Sequence, residues 1–132
     1  MAADESYPDD LLYHPEHDWA RAAGDDEAVV GVTWYAQDAL GELVHFEPPD
    51  VGDTVTMGAS YGEVESVKAV SELIAPLSGE VLEVNQLVVD APETVNEDPY
   101  GDGWLIRIRL TQPGERDELL DAAGYRRVLA DA

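Results

Sequence analysis

The residue of this sequence that most clearly indicates a chemical function is Lys68, because it is the only lysine among 132 residues. The six other basic residues are arginines, and the chain has no cysteine. A lysine amine can form an amide bond, whereas an arginine guanidinium stays protonated at physiological pH. The use of arginine in place of every other lysine indicates that the amine of Lys68 has a chemical role.

Lys68 lies between two alternating segments, residues 60–66 and 70–75, that each predict a strand. The connection is short enough only for a tight hairpin turn, where Asn, Asp or Gly is expected. Val67 and Lys68 are poor turn residues, so we interpret the tip as a site that displays the lysine. The alternative is a surface lysine that contributes solubility or protects a strand edge.

The composition excludes several classes of function. The chain has 29 Asp and Glu residues but only seven Lys and Arg residues, which gives a formal charge of −22. Nucleic acids and anionic membranes both require a basic face, so we expect neither as a partner. No apolar run approaches the roughly 18 residues of a membrane span, and the acidic start resembles no targeting signal, which predicts a cytoplasmic protein. Without cysteine, the chain has no thiol chemistry of its own.

The same charge suggests adaptation to high salt. Self-repulsion of this size destabilises a compact state. In about 1 M salt the screening length falls to roughly 3 Å, which reduces that penalty. The alternative is a protein that is merely acidic.

The remaining pattern predicts a small antiparallel β fold with helices on its outside. Residues 17–23 and 27–33 predict a hairpin around Gly24. Thr33 predicts the N-cap of a helix over residues 34–40, and Gly41 its left-handed end. Further strands are predicted over residues 42–47, 54–57, 80–85 and 104–110, with one helical turn within 92–103.

The two ends of the chain differ from this body. Residues 1–10 predict a flexible acidic leader, followed by one domain over residues 11–132. Residues 114–123 and the segment from Tyr125 onward predict two helical pieces that Gly124 interrupts.

Several motifs together resemble the glycine cleavage H-protein family. The segment Glu65-Ser66-Val67-Lys68-Ala69 resembles that family's lipoylation motif. The similarity covers nearly the whole chain after the leader, with Asp18 in place of the family's usual Glu. Its other matches are Tyr13, His17-Asp18-Trp19, Gly31-Val32-Thr33, Ala36-Gln37, Leu40-Gly41, Pro76, Ser78-Gly79-Glu80-Val81, Val84-Asn85, Asn96, Asp98-Pro99-Tyr100, Gly103-Trp104, Leu119-Leu120 and Tyr125.

The resemblance implies a mainly β, antiparallel barrel-sandwich hybrid with short helices, including C-terminal helices packed outside. It also implies lipoic acid joined by an amide to Lys68, with Glu65, Ser66, Val67 and Ala69 as the recognition motif. The protein is then a non-catalytic monomeric carrier that a lipoylating enzyme modifies. It takes an aminomethyl group from the pyridoxal-phosphate glycine decarboxylase to a tetrahydrofolate-dependent aminomethyltransferase, and dihydrolipoamide dehydrogenase reoxidises it.

Two other functions are considered beside this one. A biotin carrier usually has Met beside its lysine, where this chain has Val67 and Ala69. Lipoyl domains of 2-oxo acid dehydrogenases are shorter and lack the Asn96 motif and the C-terminal helical part. An H-like protein that relays lipoyl groups to other enzymes uses the same lysine, so the sequence leaves that alternative open.

An aminomethyl cargo carries an amine that is protonated near neutral pH, and carboxylates favour such a cation. We therefore expect the loaded arm to fold onto an acidic cleft, with Asp18 and Glu72 as candidates and Glu16 as a third. The alternative is that all three are solvated surface acids. His14, His17 and His45 do not have the spacing of a metal site, and no metal is predicted.

Overall fold

The computed structural model describes residues 5–131, which form two antiparallel sheets and several short helices. The strands are β1 (Leu12–His14), β2 (Asp18–Ala22), β3 (Glu27–Val32), β4 (Leu43–Glu47), β5 (Thr54–Val55), β6 (Ser60–Ser66), β7 (Val70–Ile74), β8 (Gly79–Val84) and β9 (Ile106–Leu110). The helices are α1 (Trp34–Leu40), α2 (Gln86–Asp90), α3 (Thr94–Glu97) and α4 (Ala122–Asp131), with a 3₁₀ helix over Pro113–Glu118.

The predicted mainly β, antiparallel fold is confirmed. One sheet has six strands in the order β1-β2-β3-β9-β8-β5, and the other has three in the order β4-β6-β7. The two sheets stay separate and do not close into one barrel, which is compatible with a barrel-sandwich hybrid. Apolar side chains from both sheets form one buried core, which includes Val30, Phe46, Val64, Leu73, Ile106 and Ile108.

Helix α1 has the predicted bounds, because residues at its own ends determine them. The Ala36 amide donates to the Thr33 hydroxyl oxygen at 3.3 Å, which satisfies one free N–H of the first turn. Gly41 ends the helix with φ of +85°, a conformation that favours glycine. This helix forms one wall of the site described below.

The N-terminal segment packs on the domain from Tyr7 onward. Tyr7 is 6% exposed, and its ring makes edge-to-face contacts with the rings of Tyr13 and Tyr125. Those two rings stack on each other with their centroids 4.8 Å apart. The Tyr13 hydroxyl donates to the Pro8 carbonyl at 2.7 Å. Residues 1–4 of the predicted flexible leader lie outside the described residues. Within residues 5–10, one aromatic ring anchors a segment whose acidic composition predicted flexibility.

The predicted break at Gly124 is wrong, because Gly124 lies inside α4. Its amide donates to Asp121 Oδ1 at 2.7 Å, so Asp121 caps a helix that the glycine does not interrupt. A Cβ at position 124 would lie 3.2 Å from that same oxygen, which gives the glycine a packing reason. The preceding segment forms a 3₁₀ helix in place of the predicted α-helical piece.

Candidate functional site

The hairpin that displays Lys68 is closed by the side chain of Ser66. The amides of Lys68 and Ala69 donate to the Ser66 hydroxyl oxygen at 3.2 and 3.1 Å. The Ser66 amide donates to the Ala69 carbonyl at 2.8 Å. Ser66 thus supplies the hydrogen bonds that Asn or Asp usually gives a turn, which explains how Val67 and Lys68 can occupy the tip.

The Lys68 side chain is exposed and passes over the glycine that ends α1. A Cβ built on Gly41 would lie 3.5 Å from Lys68 Cε and 3.9 Å from Nζ. The Val67 amide donates to the Glu42 carbonyl at 3.2 Å, which ties the tip to the segment after α1. Such distances are ordinary van der Waals contacts, so the lysine side chain packs beside Gly41, and the positive φ of Gly41 is what favours glycine there.

Asn96 joins the elements beneath the tip. The Leu43 amide donates to Asn96 Oδ1 at 2.9 Å. The Asn96 amide nitrogen donates to Gln37 Oε1 at 3.0 Å and to the Gly41 carbonyl at 2.8 Å. One side chain thereby connects α1, β4 and α3, which gives the lysine a rigid base.

The residues around Lys68 fit a lipoyl group. The amine is exposed on a turn whose backbone is fixed, so an acyl group can be attached without disturbing the core. Glu65, Val67 and Ala69 are exposed, whereas Ser66 is buried. Three side chains of this segment are therefore accessible, while Ser66 shapes the turn from within.

A groove of about 230 Å³ lies where β2, α1 and β7 meet, and it contains all three predicted cleft acids. Asp18 enters from β2, Glu72 from β7, and Glu16 from the turn before β2. The rest of its wall consists of His17, Val32, Tyr35, Ala36, Ala39, Leu40, Ser71, Leu73 and Ile74. Because Leu40 directly precedes Gly41, the groove begins beside the residue that the Lys68 side chain crosses.

Asp18 differs from the other two acids in its burial. Asp18 is 2% exposed, whereas Glu16 and Glu72 are exposed at the groove mouth. Asp18 Oδ2 has no hydrogen-bond partner among the described residues. Burial, and then the charge of Glu16, raise the pKa of the Asp18 carboxyl well above its usual value. The groove therefore has at its base a buried carboxyl oxygen that can accept a further hydrogen bond.

Replacing Asp18 by Asn is expected to raise the thermal midpoint at neutral pH and to flatten its pH dependence. A carboxyl with a raised folded-state pKa binds its proton more tightly when folded, so it lowers stability as pH rises from about 4 through the folded pKa. Asn lacks this titration. Thermal unfolding from pH 4 to pH 8 tests this, and an equal loss of stability with pH in both proteins would contradict it.

His17, which the sequence analysis included only through the family resemblance, lines this groove and has an unusual backbone conformation. Its φ is +74°, the only positive φ at a non-glycine position in residues 5–131. Its Nδ1 lies 2.7 Å from the Tyr125 hydroxyl, which also lies 2.8 Å from the Thr33 hydroxyl. Its ring packs on Tyr35 at 4.6 Å. No alternation or spacing could have revealed these contacts, because α4 is distant in sequence.

The three histidines occupy separate environments. His14 Nδ1 accepts from the Glu16 amide at 3.1 Å, and His45 Nε2 lies 3.0 Å from Glu47 Oε2. Burial lowers the pKa of both His14 and His17. Within the described part of the chain, no three His, Asp or Glu side chains are placed to share a metal ion.

The described residues thus form a small two-sheet β body that displays Lys68 at the tip of a hairpin, with a groove beside it. Residues 11–132 match the family model described as glycine cleavage H-protein. The chain therefore belongs to the glycine cleavage H-protein family.

Individual relatives agree with this assignment. The chain is 56% identical over 119 residues to the glycine cleavage system H protein of Anaeromyxobacter sp. (strain K), covering 90% of this chain and 92% of that one. It is 49% identical over 128 residues to the H protein of Myxococcus xanthus (strain DK1622), covering 97% and 98%. The crystal structure of an H protein from Mycobacterium marinum matches with a TM-score of 0.85 at 45% identity, covering 93% and 98%.

No helix within residues 5–131 has the length and apolar character needed to cross a membrane.

Proposed function

We propose that this protein is the lipoyl-bearing shuttle of the glycine cleavage system, with Lys68 as the attachment site. The observation that carries this proposal is the chain's single lysine, exposed at the tip of a hairpin that Ser66 closes from within. Attachment as an amide removes the one positive charge of Lys68 and changes the formal charge from −22 to −23. Family membership supports the assignment.

The chain and its cofactor have separate tasks. A bound lipoyl group supplies a dithiolane, whose sulfurs can carry a one-carbon amine and accept electrons, chemistry that a chain without cysteine lacks. The hairpin fixes the root of the arm, and Asn96 fixes the base beneath it. The protein itself is a carrier without catalysis.

Its partners are the lipoylating enzyme, the pyridoxal-phosphate glycine decarboxylase, the tetrahydrofolate-dependent aminomethyltransferase and dihydrolipoamide dehydrogenase. We place the protein in the cytoplasm as a monomer, without nucleic-acid or membrane partners. Val67 and Val70 flank the lysine and are 71% and 60% exposed, which gives the partner enzymes apolar surface beside the arm. The surrounding acids favour partners with basic surfaces.

The groove beside α1 receives the protonated amine of the aminomethyl cargo, with Asp18 and Glu72 as acceptors and Glu16 at the mouth. Two features support this role: the three acids line one groove, and the buried Asp18 Oδ2 has no partner among the described residues. A cation beside a carboxylate in a partly dry site is attracted strongly. The walls also shield the cargo from water.

Replacing Asp18 by Asn or Glu72 by Gln is expected to shorten the lifetime of the loaded protein. Loss of a hydrogen bond to a charged group costs about 1.5–3 kcal/mol, which predicts a decrease of roughly tenfold or more for Asp18→Asn. Glu72→Gln has a smaller effect because Glu72 is exposed. Intact mass against time measures this decay. Glu118→Gln, an exposed acid outside the groove, is the control, and unchanged lifetimes in both groove variants would count against the site.

The lipoylated protein alone is expected to give no glycine-dependent exchange of labelled carbon dioxide. Exchange appears only when glycine decarboxylase is added, since the carrier has no cysteine or other group of its own to supply this chemistry. The measurement compares the carrier, the decarboxylase and their mixture. Exchange by the pure carrier at a rate comparable with the mixture would refute the carrier proposal. Transfer of lipoyl groups to other enzymes without glycine-dependent exchange would favour the relay function.

A further inference from the structure

Three side chains, Thr33, Tyr125 and His17, form a hydrogen-bonded chain that ends at the groove. The Tyr125 hydroxyl lies 2.8 Å from the Thr33 hydroxyl and 2.7 Å from His17 Nδ1. Thr33 and Tyr125 are both 0% exposed, whereas His17 lines the groove. Because buried polar groups are nearly always hydrogen-bonded, the direction of each bond follows from placing every proton on an acceptor.

The Thr33 hydroxyl fixes the direction of this chain. Within residues 5–131 its partners are the Ala36 amide, which can only donate, and the Tyr125 hydroxyl. The Thr33 proton therefore goes to the Tyr125 oxygen, and Tyr125 donates its own proton to His17 Nδ1. With Nδ1 as an acceptor, the neutral ring carries its proton on Nε2. The opposite direction would leave the buried Thr33 proton without an acceptor.

The backbone at His17 turns sharply just before β2. Its φ of +74° is a left-handed conformation that is unfavourable for most residues with a side chain and that persists where the surroundings impose it, often at functional sites. The His17 amide donates to the His14 carbonyl at 2.9 Å, and the His17 carbonyl accepts from the Thr33 amide at 3.1 Å. In this conformation residues 16–18 all line the groove, which the alternation of an extended chain would not allow.

A neutral His17 ring keeps the groove free of a competing cation. Burial lowers the pKa of His17. The bond from Tyr125 acts in the same direction, because it is made to the neutral ring. A protonated Nδ1 could replace that bond only by leaving the Thr33 proton unpaired. Protonation would also place an imidazolium directly after Glu16, beside the carboxylates that the cargo amine needs.

We propose that Thr33 and Tyr125 are positioning residues of the groove, which hold the His17 ring as a neutral wall and leave the carboxylates for the cargo amine. This inference rests on the proposed function, in which the groove receives that amine. It gives the C-terminal helix α4, which carries Tyr125, a role in the loaded state. The titratable groups that line the groove with His17 or contact its ring are His14, Glu16, Asp18, Tyr35, Glu72 and Tyr125.

Nitrogen-15 NMR of the His17 ring tests this arrangement in the full, unlipoylated chain. We expect the wild-type ring to carry its proton on Nε2. Tyr125→Phe removes only the hydroxyl and is expected to populate both tautomers. Tyr13→Phe is its control: it removes the hydroxyl of the ring that stacks on Tyr125, with its hydrogen bond to the Pro8 carbonyl, and leaves the tautomer unchanged. A wild-type ring with its proton on Nδ1 would overturn the inference whether or not the variants fold, as would an unchanged tautomer in Tyr125→Phe.

Thr33→Val tests the direction of the chain. Without the Thr33 proton, the Tyr125 oxygen can accept from a protonated ring, so we expect the midpoint of the His17 titration to rise by about 0.5 to 1 pH unit. Thr33→Ser keeps the hydroxyl, and in this matched control the midpoint stays at the wild-type value. An equal midpoint in Thr33→Val and the wild type would overturn the inference.

The lifetime of the loaded protein as a function of pH connects the ring to the cargo. In Thr33→Val we expect the lifetime to fall at a pH about 0.5 to 1 unit higher than in the wild type. In the His17→Asn background, where the residue accepts the left-handed conformation but does not titrate, Thr33→Val should cause no such shift. An equal shift in both backgrounds would overturn the inference.

The Asp18→Asn variant separates this inference from the proposed function. If Asp18→Asn leaves the lifetime of the loaded protein unchanged, the amine site fails and the role of the His17 wall fails with it. If Asp18→Asn shortens the lifetime while Thr33→Val does not shift its pH dependence, the amine site stands and the inference about Thr33 and Tyr125 is overturned.

Discussion

Replacing Lys68 by arginine is expected to abolish lipoylation and all glycine-dependent exchange while the fold stays intact. Arginine retains the positive charge but cannot be acylated at physiological pH. The side chain is exposed, and the turn is closed by the Ser66 hydroxyl and backbone amides, which the substitution leaves in place. Stability should therefore change by no more than about 0.5 kcal/mol. Intact mass after co-expression with a lipoylating enzyme, together with thermal unfolding, measures both effects.

A double variant tests whether lipoylation depends on the position of the amine and not only on its presence. Lys68→Arg combined with Arg127→Lys restores one lysine to the chain but places it on α4, where Arg127 is exposed. We expect no lipoyl adduct, because the new amine lacks the hairpin and its recognition motif. A lipoyl adduct on either variant would contradict the assignment of Lys68.

The midpoint of thermal unfolding is expected to rise strongly with potassium chloride. Among residues 5–131 only one acid, Asp18, is buried, so nearly all the negative charge lies at the surface. The Arg–carboxylate ion pairs of this region lie on the six-stranded sheet, where Arg107 pairs with Glu27 and Glu83, and Arg109 with Glu80. Most surface acids in the described part of the chain therefore have no arginine within ion-pair distance, and we expect their repulsion to extend over the whole domain.

From about 0.05 M to about 3 M potassium chloride, we expect an increase in the midpoint of about 10 °C or more, mostly from screening. Sucrose is the control, because an excluded solute strengthens apolar burial without screening charge. A midpoint that stays flat or falls with salt would show that the acidic surface is not a salt adaptation. The assignment as a carrier would remain.

The sequence predicted those parts of the site that neighbouring residues determine. Thr33 and Gly41 cap α1 through their own chemistry, so both bounds of that helix follow from local rules. Lys68 was identifiable because no other lysine competes with it. Asp18 was a candidate through the family resemblance and Glu72 through its position just past the hairpin, since no spacing rule joins a residue of β2 to one of β7.

Residues placed by tertiary packing were not predictable in this way. Tyr61 enters the core at a bulge, where the spacing to the next buried residue, Val64, departs from the period of two that predicts a regular strand. Tyr7 anchors a segment whose composition is otherwise acidic, and its partners are distant in sequence. Gly124 lies within a helix because Asp121 caps it, although glycine normally argues for a break. In each case a long-range or side-chain contact outweighs the local preference.

Fragmentation mass spectrometry of the wild-type chain, produced with a lipoylating enzyme and then incubated with glycine and glycine decarboxylase, tests the carrier assignment most directly. We expect one lipoyl group on the peptide that contains Lys68, and an additional glycine-derived aminomethyl mass on that same peptide only when both glycine and the decarboxylase are present. A peptide with unmodified Lys68, or a glycine-derived mass on any other part of the chain, would contradict the proposal that this lysine carries the arm.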